Sequence, residues 1–202
     1  SCPKKGYAVR RHNTGNEYTA KNILQRHFGY DTHTREHLGN SDTNATKIDT
    51  LAWSWRHGLK AWALDFTYVN PDLESYSTIN RVSPELFLAN REAAKDKKHL
   101  KNAETIGRIL IPVAYSAYTA IGNRGFTFLE NNWEVRKAEY ILAGNNGNAI
   151  EAARATSYRE LACILINITG DMVSGLSTHT IGTAAEPPIH YDIVDDLDDN
   201  TI

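Results

Sequence analysis

The chain has 202 residues, of which 41% are hydrophobic and 23% charged, the composition of a globular protein with enough apolar material for a core. No apolar run approaches the roughly 20 residues that a membrane-spanning helix needs, and none heads the chain as in a signal peptide. The expected setting is therefore intracellular or within a particle, with secretion left open and no membrane partner. Cys2 and Cys163 leave one pairing open but make no disulfide framework.

The formal net charge of −2 hides an asymmetry. Residues 1–26 carry Lys4, Lys5, Arg10, Arg11, Lys21 and Arg26 against Glu17 alone. Residues 161–202 have no Lys or Arg, and carry Asp171, Glu186, Asp192, Asp195, Asp196, Asp198 and Asp199. Ends of opposite sign suit partners of opposite sign, and a second copy of the chain is the simplest one.

In chain order, residues 1–16 show no hydrophobic period and read as an extended basic arm. Glu17–Phe28 reads as a short helix closed by Gly29, and residues 29–41 as a polar loop. The stretch from Asp42 to Phe66 places Ile48, Leu51/Ala52, Trp55, Leu59, Trp62 and Phe66 at steps of three or four. That spacing predicts a central amphipathic helix. Ser83-Pro84-Glu85 is a helix start: a capping hydroxyl, Pro in the first turn and an acid at the positive dipole end. That helix is expected to reach about Lys95. A second pattern over 97–121 is interrupted at Pro112, and Gly122–Gly125 reads as a turn.

Asn131 or Asn132 would then cap a helix ending before Gly144. Asn148 with Glu151, and Ser157 with Glu160, have the spacing of capping boxes. The last helix carries Leu161, Leu165, Ile168 and Met172. The expectation is a mainly α protein: an arm at 1–16, a core of about seven helices at 17–175, and an acidic tail at 176–202.

Three short motifs carry possible chemistry. His33-Thr-Arg-Glu36-His37 has the H-x-x-E-H spacing of zinc proteases, but that chemistry needs a stable helix and a third ligand. A polar stretch between two glycines reads as a surface loop instead. Glu151-Ala-Ala-Arg154 resembles the core of ribosome-inactivating N-glycosidases, which implies an oxocarbenium-stabilising Glu and a proton-donating Arg. Asp195-Asp-Leu-Asp-Asp199 has the spacing of a diphosphate-magnesium motif, yet it closes a Pro-containing tail and reads as a solvated acidic run. No metal site and no cofactor are expected.

Lys60-Ala-Trp-Ala-Leu-Asp65-Phe66-Thr-Tyr-Val69-Asn70-Pro71, followed by Ile79-Asn-Arg81-Val-Ser83-Pro-Glu85, resembles a signature in coat proteins of flexible filamentous viruses. The resemblance covers residues 60–90. It implies a structural, self-assembling subunit that packages nucleic acid, with Asp65 and Arg81 paired beside the groove. Phosphate contacts would come from Arg56, Lys60, Arg81, Arg108, Arg124 and Arg136. Assembly would join Lys4, Lys5, Arg10 and Arg11 to Asp195, Asp196, Asp198 and Asp199 of a neighbour, a head-to-tail contact that propagates into a filament. The alternatives are a secreted N-glycosidase centred on Glu151 and Arg154, and a helical protein-binding adaptor.

Overall fold

The structure, a computed structural model, describes residues 3–38, 46–54, 60–69 and 83–174. It runs α1 (Pro3–Tyr18), which continues as one wider π-helical stretch over Thr19–Gln25, then β1 (Asp31–Leu38), β2 (Thr46–Trp53) and β3 (Ala61–Val69). There follow α2 (Pro84–Thr105), β4 (Ile109–Ser116), α3 (Asn123–Leu142) and α4 (Asn148–Ser174). The strands form one mixed sheet in the order β1-β2-β3-β4, antiparallel up to β3, with β4 parallel to β3.

The expectation of a mainly α core of about seven helices is therefore wrong: among the described residues four α-helices flank a four-stranded sheet. The apolar steps between 42 and 66 contain a second period. In β2, Ile48, Thr50 and Ala52 are buried while Asp49, Leu51 and Trp53 are partly exposed, the period of two of a strand. β3 lies between two strands and is buried on both faces, so its run A-W-A-L-D-F has no alternation to read. A short, continuously apolar strand cannot be told from a buried helix by period alone. The same ambiguity hid β4, I-L-I-P-V-A-Y-S. Pro112 is accommodated there because β4 is the last strand of the described sheet, where a missing N–H need break no ladder.

Residues 3–16 also depart from expectation, being helix and not an extended arm. The buried face of α1 carries Arg11, Gly15 and Asn16, and continues with Thr19 at the start of the π-helical stretch. Their spacing is helical, but with polar residues at those positions a hydrophobicity pattern finds nothing. This helix packs on α4 of its own chain: the Tyr18 hydroxyl donates to Glu160 Oε2 at 2.7 Å.

Other signals held. The Ser83 hydroxyl accepts from Leu86 N at 3.1 Å at the start of α2, though the helix runs on to Thr105. Gly29 and Gly144 adopt φ of +71° and +81° where helical segments end, a conformation that only glycine takes without strain. Asn132 and Ser157 prove to be interior residues of α3 and α4 and not caps.

The sheet divides the core. On one face Leu64, Phe66, Val113 and Tyr115 pack with Ile23 and Leu24 of the π-helical stretch, Leu129 and Trp133 of α3, and Leu161 and Leu165 of α4. On the other face Ile48, Ala63 and Leu110 meet Ala103, and Val69 and Ala114 meet Phe87 and Leu88, all from α2. α1, α3 and α4 thus cover one side and α2 the other. Alternation along β3 turns Asp65, between Leu64 and Phe66, toward α2.

Candidate active site

Two aspartates occupy the middle of the sheet. The β2–β3 ladder is paired from Trp53↔Ala61 to Thr50↔Leu64, and Asp49 is the next residue of β2 beyond it. There its carboxylate takes over: Asp49 Oδ2 accepts the Phe66 N–H of β3 at 2.6 Å. Held in the seam between strands, Asp49 reaches both layers. Its Oδ1 lies 2.8 Å from His12 Nε2 of α1, and its carboxylate is within hydrogen-bonding reach of Asp65. Asn16 braces this strand from α1, donating to the Asp49 carbonyl at 3.3 Å and accepting from the Thr50 hydroxyl at 2.5 Å.

Asp65 faces α2, where Lys95 and His99 stand one turn apart. Lys95 Nζ donates to Asp65 Oδ1 at 3.1 Å. Asp65 Oδ2 lies 3.1 Å from His99 Nε2. The Asp65 side chain is 3% exposed, whereas Lys95 and Asp49 are each 20% exposed. The site is thus a buried carboxylate reached from solvent past a second carboxylate and a lysine.

Electrostatics separates the two acids. Burial, reinforced by the neighbouring Asp49 charge and hydrogen bond, pushes Asp65 up to about 7 against the opposing pull of Lys95. Burial also opposes the charge on Asp49, but the His12 hydrogen bond and charge, with Lys95 and Asp65 behind them, outweigh it and hold Asp49 below the ordinary aspartate value. Two carboxylates this close cannot both ionise freely, so near neutral pH the pair shares a proton unless a cation replaces it.

A divalent cation fits the donors present. Mg²⁺ is commonly held by one or two carboxylates and completed by water and substrate phosphate, and Asp49 and Asp65 supply two carboxylates on neighbouring strands. Among the described residues no three His, Cys, Asp or Glu converge on one point, so a closed structural metal cage is not what the arrangement offers.

The residues singled out from sequence fall in several places. Asp65 is central, but its partners are Lys95 and His99; Arg81, its expected partner, and Arg56 lie outside the described residues. Lys60 is exposed just before β3. Arg124, in the first turn of α3, pairs with Asp96 and donates to the Leu110 carbonyl at 3.3 Å. Arg136 pairs with Glu139 at 3.2 Å. Arg108 is partly exposed just ahead of β4. No contact among the described residues draws these basic groups into one groove.

Of the expected assembly residues, Arg10 is exposed and Arg11 buried. Lys4 and Lys5 lie on the first turns of α1. Asp195, Asp196, Asp198 and Asp199 lie outside the described residues, as does Cys2, while Cys163 is exposed. His33 to His37 lie on β1, a strand and not the helix that a zinc-protease motif requires. Glu151 accepts from Lys137 at 2.6 Å, and Arg154 pairs with Glu130, Glu134 and Glu151. This is an ionic seam tying α3 to α4, with every member engaged. No described helix is long and apolar enough to cross a membrane.

His12, Asp49, Lys95 and His99 were not singled out from the sequence. Their trace there is acids isolated in apolar or β-branched runs, Ile48-Asp49-Thr50 and Leu64-Asp65-Phe66, and an α2 whose buried stripe includes Glu92 and His99. Charged residues are seldom buried without a task. A cavity of about 430 Å³ lies on the other face of the sheet, between Tyr115, Phe126, Tyr158 and Leu165, but no charged residue lines it and it offers no such chemistry.

No protein-family model matches this chain, and no curated protein is similar to it.

Proposed function

We propose that the protein is a divalent-cation-dependent phosphodiester hydrolase acting on nucleic acid, with Asp49, Asp65 and Lys95 at its centre. The single observation that carries this reading is the acid pair itself. Two carboxylates are held within hydrogen-bonding reach on neighbouring strands, with a lysine on one of them. Such a site is poorly arranged for stability, because it buries like charges, and well arranged to bind a cation and a phosphate together.

Asp49 and Asp65 would hold the cation, which supplies Lewis-acid polarisation of the phosphoryl oxygen and lowers the pKa of a bound water. Lys95, partly exposed beside Asp65, pairs with a phosphate oxygen and stabilises the negative charge that builds on it. The His12–Asp49 hydrogen bond fixes the Asp49 carboxylate, and His12, 30% exposed, is placed at the rim to pass protons to solvent. In the reaction, water oxygen bonds to phosphorus and a phosphorus–oxygen ester bond breaks. The water's proton is lost to solvent, and the departing oxygen takes one up. The phosphate preference expected from sequence is retained, while its basic groove is replaced by this centre.

The test is cleavage of single- and double-stranded DNA and RNA by purified protein in Mg²⁺ or Mn²⁺, with EDTA as control. Cleavage that EDTA abolishes, and that falls at least about a hundredfold (roughly 2.7 kcal/mol of transition-state stabilisation) in Asp49→Asn and Lys95→Met, is expected. Absence of cation-dependent cleavage on all four substrates, or activity undiminished in Asp49→Asn, would contradict the reading.

A further inference from the structure

α2 keeps its charges on separate flanks. Arg91, Lys95, Lys98 and Asn102 follow one another at steps of four, three and four, which puts them on one face of the helix. All four donate hydrogen bonds, and no acid lies among them. Asp96, Leu100 and Glu104 run at steps of four along the other flank. Between the two flanks lies the buried stripe of Leu88, Glu92, His99 and Ala103 that faces the sheet.

Contacts fix which way each flank looks. Asp96 pairs with Arg124 of α3, and Arg124 also donates to the Leu110 carbonyl of β4. The acidic flank therefore looks past β4, the last strand in the sheet order. The donor flank looks the opposite way, toward β3 and β2, and from it Lys95 bonds Asp65. Solvent reaches this flank, since Lys98 is exposed and Arg91 and Asn102 are partly so. The Arg91 guanidinium lies over the Phe87 ring, 5.6 Å from its centroid, which steadies it. At 1.5 Å per residue the stripe is about 16 Å long, several steps of a stacked strand that rises roughly 3.4 Å per nucleotide.

We infer that this flank of α2 is a phosphate track that lays a polynucleotide strand across the acid pair, with Lys95 on the phosphate that is cleaved and Arg91 and Lys98 on phosphates to either side. The role of Lys95 rests on the cleavage reading; the track itself does not. The substrate is then a polymer, because a single nucleotide would leave Arg91 and Lys98 unused. An acidic peptide fits less well: it would bring further carboxylates up to Asp49 and Asp65, whereas a phosphodiester can share a cation with them.

Binding is measured first, in EDTA so that no strand is cut, by the fluorescence anisotropy of a labelled ten-nucleotide single strand as KCl is raised. Lys98→Gln should lower the slope of log affinity against log salt by about 0.7, the value for one single-strand phosphate, and Arg91→Gln with Lys98→Gln by about 1.4. The double variant should also bind at least tenfold more weakly at low salt. Lys21→Gln, exposed in the layer on the other side of the sheet, should change neither quantity. Because Lys98 is exposed, the single variant keeps the test open if loss of the Arg91–Phe87 contact unfolds the double one. In Mg²⁺, kcat/KM of the double variant should fall at least fivefold further on the oligonucleotide than on bis(p-nitrophenyl) phosphate, which is too short to span the flank. No binding by the wild type, an unchanged slope in Lys98→Gln, or equal losses on both substrates would overturn the track. Displacement of the strand by polyglutamate as readily as by unlabelled strand would overturn the choice of nucleic acid. The expected slopes with no cleavage of either substrate would support the track and remove the cleavage reading alone.

Discussion

Replacing Asp65 by Asn should make the protein more stable and inactive. The carboxylate is buried and its pKa rises from the ordinary 3.8 to about 7, so between those values the folded state holds a proton that the unfolded state has released. Stability therefore falls as pH climbs through this window and levels off above it. The gap, at about 1.4 kcal/mol per pH unit, caps the penalty at roughly 4 kcal/mol. Asn keeps the shape and removes the charge, but weakens the hydrogen bond from Lys95 by taking away its anionic acceptor, so about 2 kcal/mol should be recovered at pH 8. In a chain of this size that is a rise in Tm of about 5 °C. The gain should shrink to well under about 1 kcal/mol near pH 4, where the folded wild-type side chain is protonated and the unfolded one about half so. The depressed pKa of Asp49 acts in the opposite sense and at lower pH: its stabilising contribution is present above the unfolded value and lost as pH falls below it. Urea titrations of both proteins at pH 4 and pH 8 read the difference directly. Asp65→Asn less stable than wild type at pH 8, or a gain that persists unchanged at pH 4, would refute the reasoning.

Three further outcomes follow from packing and hydrogen bonding. Glu92 is 3% exposed and accepts from Arg124 N and Gly125 N, each at 3.2 Å, so it caps α3 from α2; Glu92→Ala should cost about 2 to 3 kcal/mol in chemical denaturation. Gly15→Ala gains roughly 1 kcal/mol of helix propensity but drives a methyl into the Tyr68 hydroxyl; the expected net is destabilisation of about 1 kcal/mol, and a stabilised variant would show that Tyr68 moves aside freely. Glu151→Gln loosens only the ionic seam between α3 and α4; adenine release from ribosomes should be undetectable in the variant and the wild type alike, and release lost on substitution would revive the N-glycosidase reading.

The sequence announced its helix starts and stops more plainly than its strands. Ser83-Pro84-Glu85 and Gly144 act through local chemistry, a hydroxyl capping an N–H and a backbone that only glycine tolerates, and such chemistry survives any tertiary context. β3 and β4 depend on that context: both are continuously apolar because they are buried within the sheet, and only their neighbours distinguish them from helix. α1 was hidden for the converse reason, since polar side chains such as Arg11 and Asn16 occupy its buried face. The candidate site shares both difficulties. Asp49 and Asp65 are sixteen positions apart in sequence, as the numbering gives, and Lys95 is thirty further; no local pattern links them until antiparallel pairing brings β2 beside β3 and α2 lies across the sheet. Asp65 did attract notice, through a resemblance that supplied Arg81 as partner where the fold supplies Lys95.

The most direct measurement is calorimetric titration of the chain with Mg²⁺ near pH 6.5 in buffers of different ionisation enthalpy, which counts protons released with each ion bound. A cation taken up by Asp49 and Asp65 must displace the shared proton, so one ion should bind per chain with release of a substantial fraction of a proton, and Asp65→Asn should neither bind it at comparable affinity nor release the proton. Binding of equal affinity in Asp65→Asn, or no Mg²⁺ binding in the wild type, would contradict the assignment of this acid pair as a cation centre.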